Sequence, residues 1–368
     1  MAVHALLVTR IIPACSAARQ RRAQPAHNPT SPLPQGHPNA RLTANHRSGH
    51  AMSGTSVAAP SSRWVSPLRY PGGKGRMADA LSEIFLAQFG LLDIEVWAEP
   101  FAGGAGAGLH LLDRGVVSEV WLTEKNPALA AFWRTVTANS DELSARVRTC
   151  QPDMAAWHAA RELLAAAQDP QTVTDLDLAF AALIINRCSR SGMVNPRVGP
   201  IGGKNQNGRW NLQSRWNSEG LADRIDAIGQ LGNRIRVFEA DAIDHIAELD
   251  GSVGIEDELL FFVDPPYLVQ GNRLYAHGMT FDDHKALAEA LTHCTAHWLL
   301  TYDADDRIPG LYPDHRVLAY QIAHTANQAR IDEEFAVLSD NLVVRDNQSL
   351  LPTGASRWVQ HGLDQQPD

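Results

Sequence analysis

The stretch Ile94-Glu95-Val96-Trp97-Ala98-Glu99-Pro100-Phe101-Ala102-Gly103-Gly104-Ala105-Gly106-Ala107-Gly108 decides the fold. Residues 94–98 are strand-like and run straight into a glycine-rich turn. Leu109, Leu111 and Leu112 follow as a helix would place them. A second strand, Glu119-Val120-Trp121-Leu122-Thr123, ends at Glu124. Asn126 then caps a helix that has Pro127 at its first position. Residues 94–138 therefore read as strand, glycine turn, helix, strand, helix. That is the first half of a doubly wound, mostly parallel, Rossmann-like α/β sheet.

The same alternation continues downstream. Residues 154–167 and 177–188 read as helices, and Gly and Asn crowd 191–220 into a long loop. Leu221, Ile225, Ile228 and Leu231 have helical spacing. A strand at 235–238 leads to Asp241, and Leu259-Leu260-Phe261-Phe262-Val263 leads into Asp264-Pro265-Pro266-Tyr267. Thr280 and Asp283 mark a capping-box start for a helix through Leu291. Further strands are expected at 298–302, 316–321 and 334–339, and no internal repeat is visible.

The chain has 368 residues, 44% hydrophobic and 20% charged, which is enough for a normal core. No run of 18 apolar residues occurs, so no membrane-spanning helix and no membrane partner is expected. Cys15, Cys150, Cys188 and Cys294 lie far apart with no CxxC pair, so no metal site is expected. Net charge is −9. Residues 1–62 hold six arginines and no acid, so the remainder carries 26 basic and 41 acidic groups, or −15. An acidic body argues against non-specific nucleic-acid binding over the whole surface. Within it, residues 187–236 hold nine basic groups and three acids. Arg187, Arg190, Arg197, Lys204, Arg209 and Arg215 of this block stand among Asn195, Asn205, Gln206, Asn207, Asn211 and Gln213. Arginine and lysine can pair with phosphate or guanine, and the amides with adenine.

Four segments are expected. Residues 1–62 form a disordered basic extension, read by preference as an over-long reading frame with its natural start at Met52. Residues 63–139 and 236–345 form the catalytic α/β domain. Residues 140–235 form an inserted recognition domain, and 346–368 a C-terminal tail.

Three motifs carry chemistry. The turn Phe101–Gly108 brings backbone close to a ligand. It is neither a GxGxxG fingerprint, which fails at Leu109, nor a P-loop, because Lys74 is followed by Gly75. Glu124, at the end of the next strand, can accept hydrogen bonds from ribose hydroxyls. In the second motif, Pro265 and Pro266 stop the strand and present Asp264 and Tyr267 at its carboxyl end. A carboxylate with neighbouring carbonyls can hold an exocyclic amine, and a tyrosine ring can stack on a base. The third motif, Tyr70-Pro71-Gly72-Gly73-Lys74, would on its own be a surface turn.

Taken in chain order, Tyr70–Lys74, then Glu99–Gly106, then Asp264–Tyr267, the three motifs resemble the Dam-type DNA adenine methyltransferases, the alpha group of amino-methyltransferases. Asn186-Arg187, Gly199–Gly203, Phe281 with His284, and Leu300-Thr301-Tyr302-Asp303 also fit, so the likeness spans about residues 66–342. It implies methyl transfer from S-adenosyl-L-methionine to the N6 amine of an adenine flipped from double-stranded DNA, with Asp264, Pro265, Pro266 and Tyr267 catalytic. It also implies that Tyr70, Lys74, Phe101, Gly103, Gly104, Gly106, Glu124, Asp241 and Asp264 line the cofactor site. The basic block would bind DNA. A monomer in a bacterial or phage-infected cytoplasm is expected, whether in restriction-modification or another role. An RNA adenine-N6 methyltransferase and a DNA cytosine-N4 methyltransferase remain alternatives at this point.

Overall fold

The computed structural model describes residues 66–70, 73–88, 95–166, 173–250, 259–268, 278–324, 330–344 and 356–363. The extension expected at 1–62 lies outside them, as do Pro71 and Gly72 of the lysine turn.

The expected alternation is present. A 3-10 turn, Lys74–Met77, leads into α1 (Ala78–Ala87). Then come β1 (Val96–Glu99), α2 (Gly106–Asp113), β2 (Glu119–Thr123) and α3 (Pro127–Ala138). The Asn126 side chain accepts from Ala128 N at 3.0 Å, with Pro127 at the first helical position, as the sequence predicts. Four helices follow: α4 (Ser140–Thr149), α5 (Met154–Ala166), α6 (Asp175–Cys188) and α7 (Ser218–Gly229). The second half contains β3 (Ile235–Phe238), α8 (Ala242–Asp250), β4 (Leu259–Val263) and α9 (Phe281–His293). It ends with β5 (His297–Asp303), α10 (Arg307–Leu311), β6 (Arg316–His324), β7 (Arg330–Leu338) and β8 (Ser356–His361). The capping box of Thr280 and Asp283 at the start of α9 forms in both directions.

All eight strands join one sheet in the order β3-β2-β1-β4-β5-β7-β6-β8. The first five are parallel, while β7 pairs antiparallel with β5 and with β6, and β8 with β6. Strand order reverses between β1 and β4, which are direct neighbours. At such a switch the connections leave in opposite directions, and a crevice opens beyond the strand carboxyl ends. Glu99 ends β1 and Asp264 follows β4, so both acids point to that crevice from adjacent strands.

Each sheet face has its own core. Trp97, Val120, Leu260, Phe262 and Leu299 pack with α1, α2 and α3. Ala98, Phe261, Val263, Leu300 and Tyr302 pack with Ile246 and Leu249 of α8 and Leu287 and Leu291 of α9. Two results depart from the sequence reading. The insert is not set apart from the sheet domain, because α6 packs on α3, α4 on α7, and their apolar residues continue the first core. The tail expected at 346–368 contains β8, which closes the antiparallel edge of the sheet. Its sequence, Ser356-Arg357-Trp358-Val359-Gln360-His361, is too short and too polar to declare itself a strand without β6 beside it.

Asn186, fully buried near the end of α6, ties the insert to the segment before α1. Its Oδ1 accepts from Arg69 N at 2.7 Å, and its Nδ2 donates to Arg69 O at 2.8 Å and to the Gly192 carbonyl. Truncation would orphan these backbone groups, each at a cost of about 1–3 kcal/mol. Asn186→Ala is expected to lower the unfolding free energy by about 2–4 kcal/mol, read from the shift of a urea unfolding midpoint.

Candidate active site

Beyond the carboxyl ends of β1, β2, β3 and β4 lies an open cleft of about 1340 Å³, its mouth included. The residues expected at a cofactor site, Tyr70, Lys74, Phe101, Gly103, Gly104, Gly106, Glu124, Asp241 and Asp264, all line this one cleft. Of the four expected catalytic residues, Asp264 and Pro266 face the cleft. Pro265 is buried, and Tyr267 is half-buried beside Lys74.

The glycine turn is shaped by Tyr70 as much as by any ligand. Gly103 has φ 45°, and a Cβ there would stand 2.6 Å from the Tyr70 ring. At Gly104 a Cβ would meet Tyr70 Cβ at 3.0 Å. The turn is held from both sides, since Trp133 Nε1 donates to Gly103 O at 3.0 Å and Gly103 N donates to Glu124 Oε2 at 3.1 Å. The other Glu124 oxygen accepts from Asn126 N at 3.0 Å. Burial raises the Glu124 carboxyl above the ordinary range, against the pull of these amides.

One cleft residue was quoted in the sequence but given no role. Glu99 lines the cleft and is buried, accepting from Trp97 Nε1 at 3.0 Å and Gly108 N at 2.6 Å. Gly108 is required for this contact, because a Cβ there would stand 2.8 Å from Glu99 Oε1. The signal was present: Glu99-Pro100 repeats, on the neighbouring strand, the acid-proline ending of Asp264-Pro265. Burial pushes the Glu99 carboxyl up to about 7, with Asp264 adding to the rise.

The lysine turn is no surface turn. Lys74 is buried, and its Nζ donates to Asp264 Oδ1 at 2.8 Å and to the Tyr267 hydroxyl at 2.6 Å. Thr301 Oγ1, from β5, donates to the same Asp264 oxygen at 2.7 Å. No group among the described residues bonds Asp264 Oδ2, and the side chain keeps 23% of its surface open. Three sequence-distant motifs thus meet at one carboxylate, oriented with one oxygen held and the other offered to the cleft. The family model for D12 class N6 adenine-specific DNA methyltransferases matches residues 70–327.

The chain belongs to this family. It is an adenine-specific DNA methyltransferase. No individual curated protein matches it.

In this methyltransferase Asp241 lies past the end of β3 and starts α8, its Oδ1 accepting from Ile243 N at 2.9 Å. Its Oδ2 accepts from Lys125 Nζ at 2.7 Å. Although burial works against its charge, these bonds hold Asp241 below the usual carboxylate range. The insert reaches the cleft directly: Met193 and Val194 line it, and Asn126 Nδ2 donates to Val194 O at 3.0 Å. Neither residue had a polar signature that sequence reading could weigh.

The basic block divides. Arg190, Arg197, Lys204 and Arg209 are exposed on the loop between α6 and α7. Arg187 faces inward, donating to Arg215 O at 3.0 Å and Pro67 O at 3.4 Å, and burial followed by repulsion from Arg69 lowers it to about 10. Arg215 is half-buried and donates to Arg190 O at 3.3 Å. Arg187 and Arg215 therefore brace the loop that the other four project from.

The Glu99 carboxyl makes stability depend on pH. Its folded value, about 7, lies above the ordinary 4.5, so the folded state holds the proton more tightly. Its contribution is complete below pH 4.5 and is lost as pH rises toward 7. Glu99→Gln keeps the oxygen that Trp97 and Gly108 use. Urea unfolding at pH 5 and pH 8 is expected to show a smaller loss for this variant than for the wild type, by a few kcal/mol.

Proposed function

We propose that the chain transfers a methyl group from S-adenosyl-L-methionine to the N6 amine of an adenine flipped out of double-stranded DNA, at a site chosen by the insert. The observation that carries this reading is Asp264. Among the described residues its side-chain donors, Lys74 and Thr301, both use Oδ1, which leaves Oδ2 for an amine.

The cleft suits the methyl donor. Glu99, Glu124, Asp241, Asp264 and Asp283 line it against Lys74 and Lys125. An acid-rich lining favours a cationic ligand over a phosphate-bearing one. Phe101, Leu129, Ile243 and Phe262 supply apolar walls for a planar ring. Glu124 would hold the ribose and Asp241 the adenine of the donor, with Tyr70 and the glycine turn against its methionine end. Bound there, the donor supplies an electrophilic methyl group on a sulfonium.

The protein's own part is orientation. The target nitrogen is a weak nucleophile, because its lone pair is delocalised into the purine. With one N–H held by Asp264 Oδ2 and the other by the Pro265 carbonyl, the nitrogen becomes more pyramidal and its lone pair turns toward the methyl carbon. Pro265 and Pro266 fix the backbone that carries both acceptors. The gain comes from alignment and from fixed dipoles that match the positive charge gathered on the nitrogen. A base inside a duplex cannot enter this cleft, so it must flip, and the Tyr267 ring stacks on it. Unstacking costs a few kcal/mol, which phosphate contacts from the exposed loop offset.

Incubation with labelled S-adenosyl-L-methionine and duplex DNA, followed by digestion to nucleosides, tests this reading. Label in N6-methyladenine is expected. Label in N4-methylcytosine, or only with RNA as substrate, would overturn it. Asp264→Ala is expected to abolish transfer while DNA affinity changes less than twofold. Replacing Arg190, Lys204 and Arg209 together by alanine is expected to weaken DNA binding and to reduce the slope of log affinity against log salt by about 3. Titrations of labelled duplex at several salt concentrations measure it.

A further inference from the structure

Behind the catalytic loop sits a second buried acid that methyl transfer as described above does not use. Glu334 lies on β7, in register with Tyr320 of β6 on one side and Asp303 of β5 on the other. Cross-strand partners place their side chains on one face. Glu334 is 4% exposed and Tyr320 1%, and the Tyr320 hydroxyl donates to Glu334 Oε2 at 2.6 Å. The same oxygen stands 3.7 Å from Lys74 Nζ. Burial first, then the charges of Asp264, Tyr320 and Glu334, raise the Tyr267 phenol well above its ordinary value. Glu334 lies beyond residues 70–327, so the family match assigns it nothing.

Burying a carboxylate is costly unless its partners compensate, and an apolar pair would fill this space at less cost. Nor is Glu334 needed to neutralise Lys74, because Asp264 already does so at 2.8 Å. With one lysine and two carboxylates, the cluster holds an excess negative charge. What Glu334 adds is geometric. The Tyr267 oxygen accepts from Lys74, whose ammonium Glu334 faces from the other side, so the hydroxyl is placed through Lys74. The ammonium is drawn to the point where Asp264 and Tyr267 both reach it. Tyr320 holds the acceptor oxygen in place from the far side.

We propose that Glu334, oriented by Tyr320, is a positioning residue that locks Lys74 and Tyr267 and thereby aims Asp264 Oδ2 and the Tyr267 ring at the target base. This rests on the methyltransferase reading above. Glu334 acts through Lys74 and Tyr267 and touches no substrate.

Single-turnover methylation of unmethylated genomic DNA by the full chain tests it, with wild type, Glu334→Gln, Tyr267→Phe and the double variant compared. Donor and DNA binding are measured alongside. Glu334→Gln is expected to lower the single-turnover rate tenfold or more, with donor and DNA dissociation constants within twofold of wild type. In the Tyr267→Phe background the same substitution is expected to cost less than threefold, because the hydroxyl it acts through is gone. A rate within twofold of wild type overturns the proposal. So does an equal loss in both backgrounds, which is what a general packing defect would give. Tyr320→Phe keeps the charge and removes one hydrogen bond. If Glu334→Gln does not fold, the same cycle run with Tyr320→Phe decides, and an additive or absent effect there overturns the proposal. A wild-type chain that leaves adenine unmodified overturns the functional reading itself. An active wild type with an unaffected Glu334→Gln overturns only the role of Glu334.

Discussion

The ammonium of Lys74 is buried at the carboxyl edge of the sheet, and it persists there only because other groups share its charge. A lone lysine in such a place would cost several kcal/mol or give up its proton. Asp264 and Tyr267 take its hydrogen bonds at 2.8 and 2.6 Å, and Glu334 stands at 3.7 Å. The pairing joins the turn before α1, the loop after β4 and the antiparallel hairpin of β6 and β7. If the loop after β4 moves, the buried ammonium loses its two short hydrogen bonds. The Asp264 carboxylate is therefore held by an electrostatic constraint that spans several segments of the sheet domain.

The strand order explains why these groups can meet. The sheet reverses direction of growth between β1 and β4, so the loops after both strands open onto the same crevice. Glu99 and Asp264 end neighbouring strands, each followed by proline, which prevents the sheet from continuing. One acid, Glu99, is buried at the cleft wall, accepts from Trp97 and the amide of Gly108, and titrates at about 7. The other keeps an oxygen toward the cleft. Identical local chemistry thus takes two roles, because the surroundings of the two carboxylates differ.

The insert and the sheet domain are mechanically continuous. Asn186 bonds both backbone polar groups of Arg69, next to the tyrosine that covers the glycine turn, and Met193 and Val194 form part of the cleft wall. Helices α4 to α7 extend the core of α3 instead of enclosing one of their own. Only the loop between α6 and α7 stands out, carrying four exposed cations and Trp210, 60% exposed with the Arg209 guanidinium over its ring. A loop so placed joins the surface to the cleft wall over a few residues.

Much was legible from local pattern alone. Strand-turn-helix periodicity over 94–138, the Asn126 and Thr280 caps, and the two acid-proline strand ends depend on neighbours in sequence, and local sterics and hydrogen bonding determine them. The cleft residues Glu99, Glu124, Asp241 and Asp264 were legible for the same reason, since each lies at or just past a strand end whose position follows from the alternation. What needed the tertiary structure was pairing at a distance. A short polar segment such as Ser356–His361 becomes a strand only against β6, and an arginine such as Arg187 turns inward only because carbonyls of other segments await it. Lys74 looked like a turn lysine, and Glu334 like any acid on a strand. Their meeting with Asp264 is set by sheet order and strand register, which no window of sequence contains.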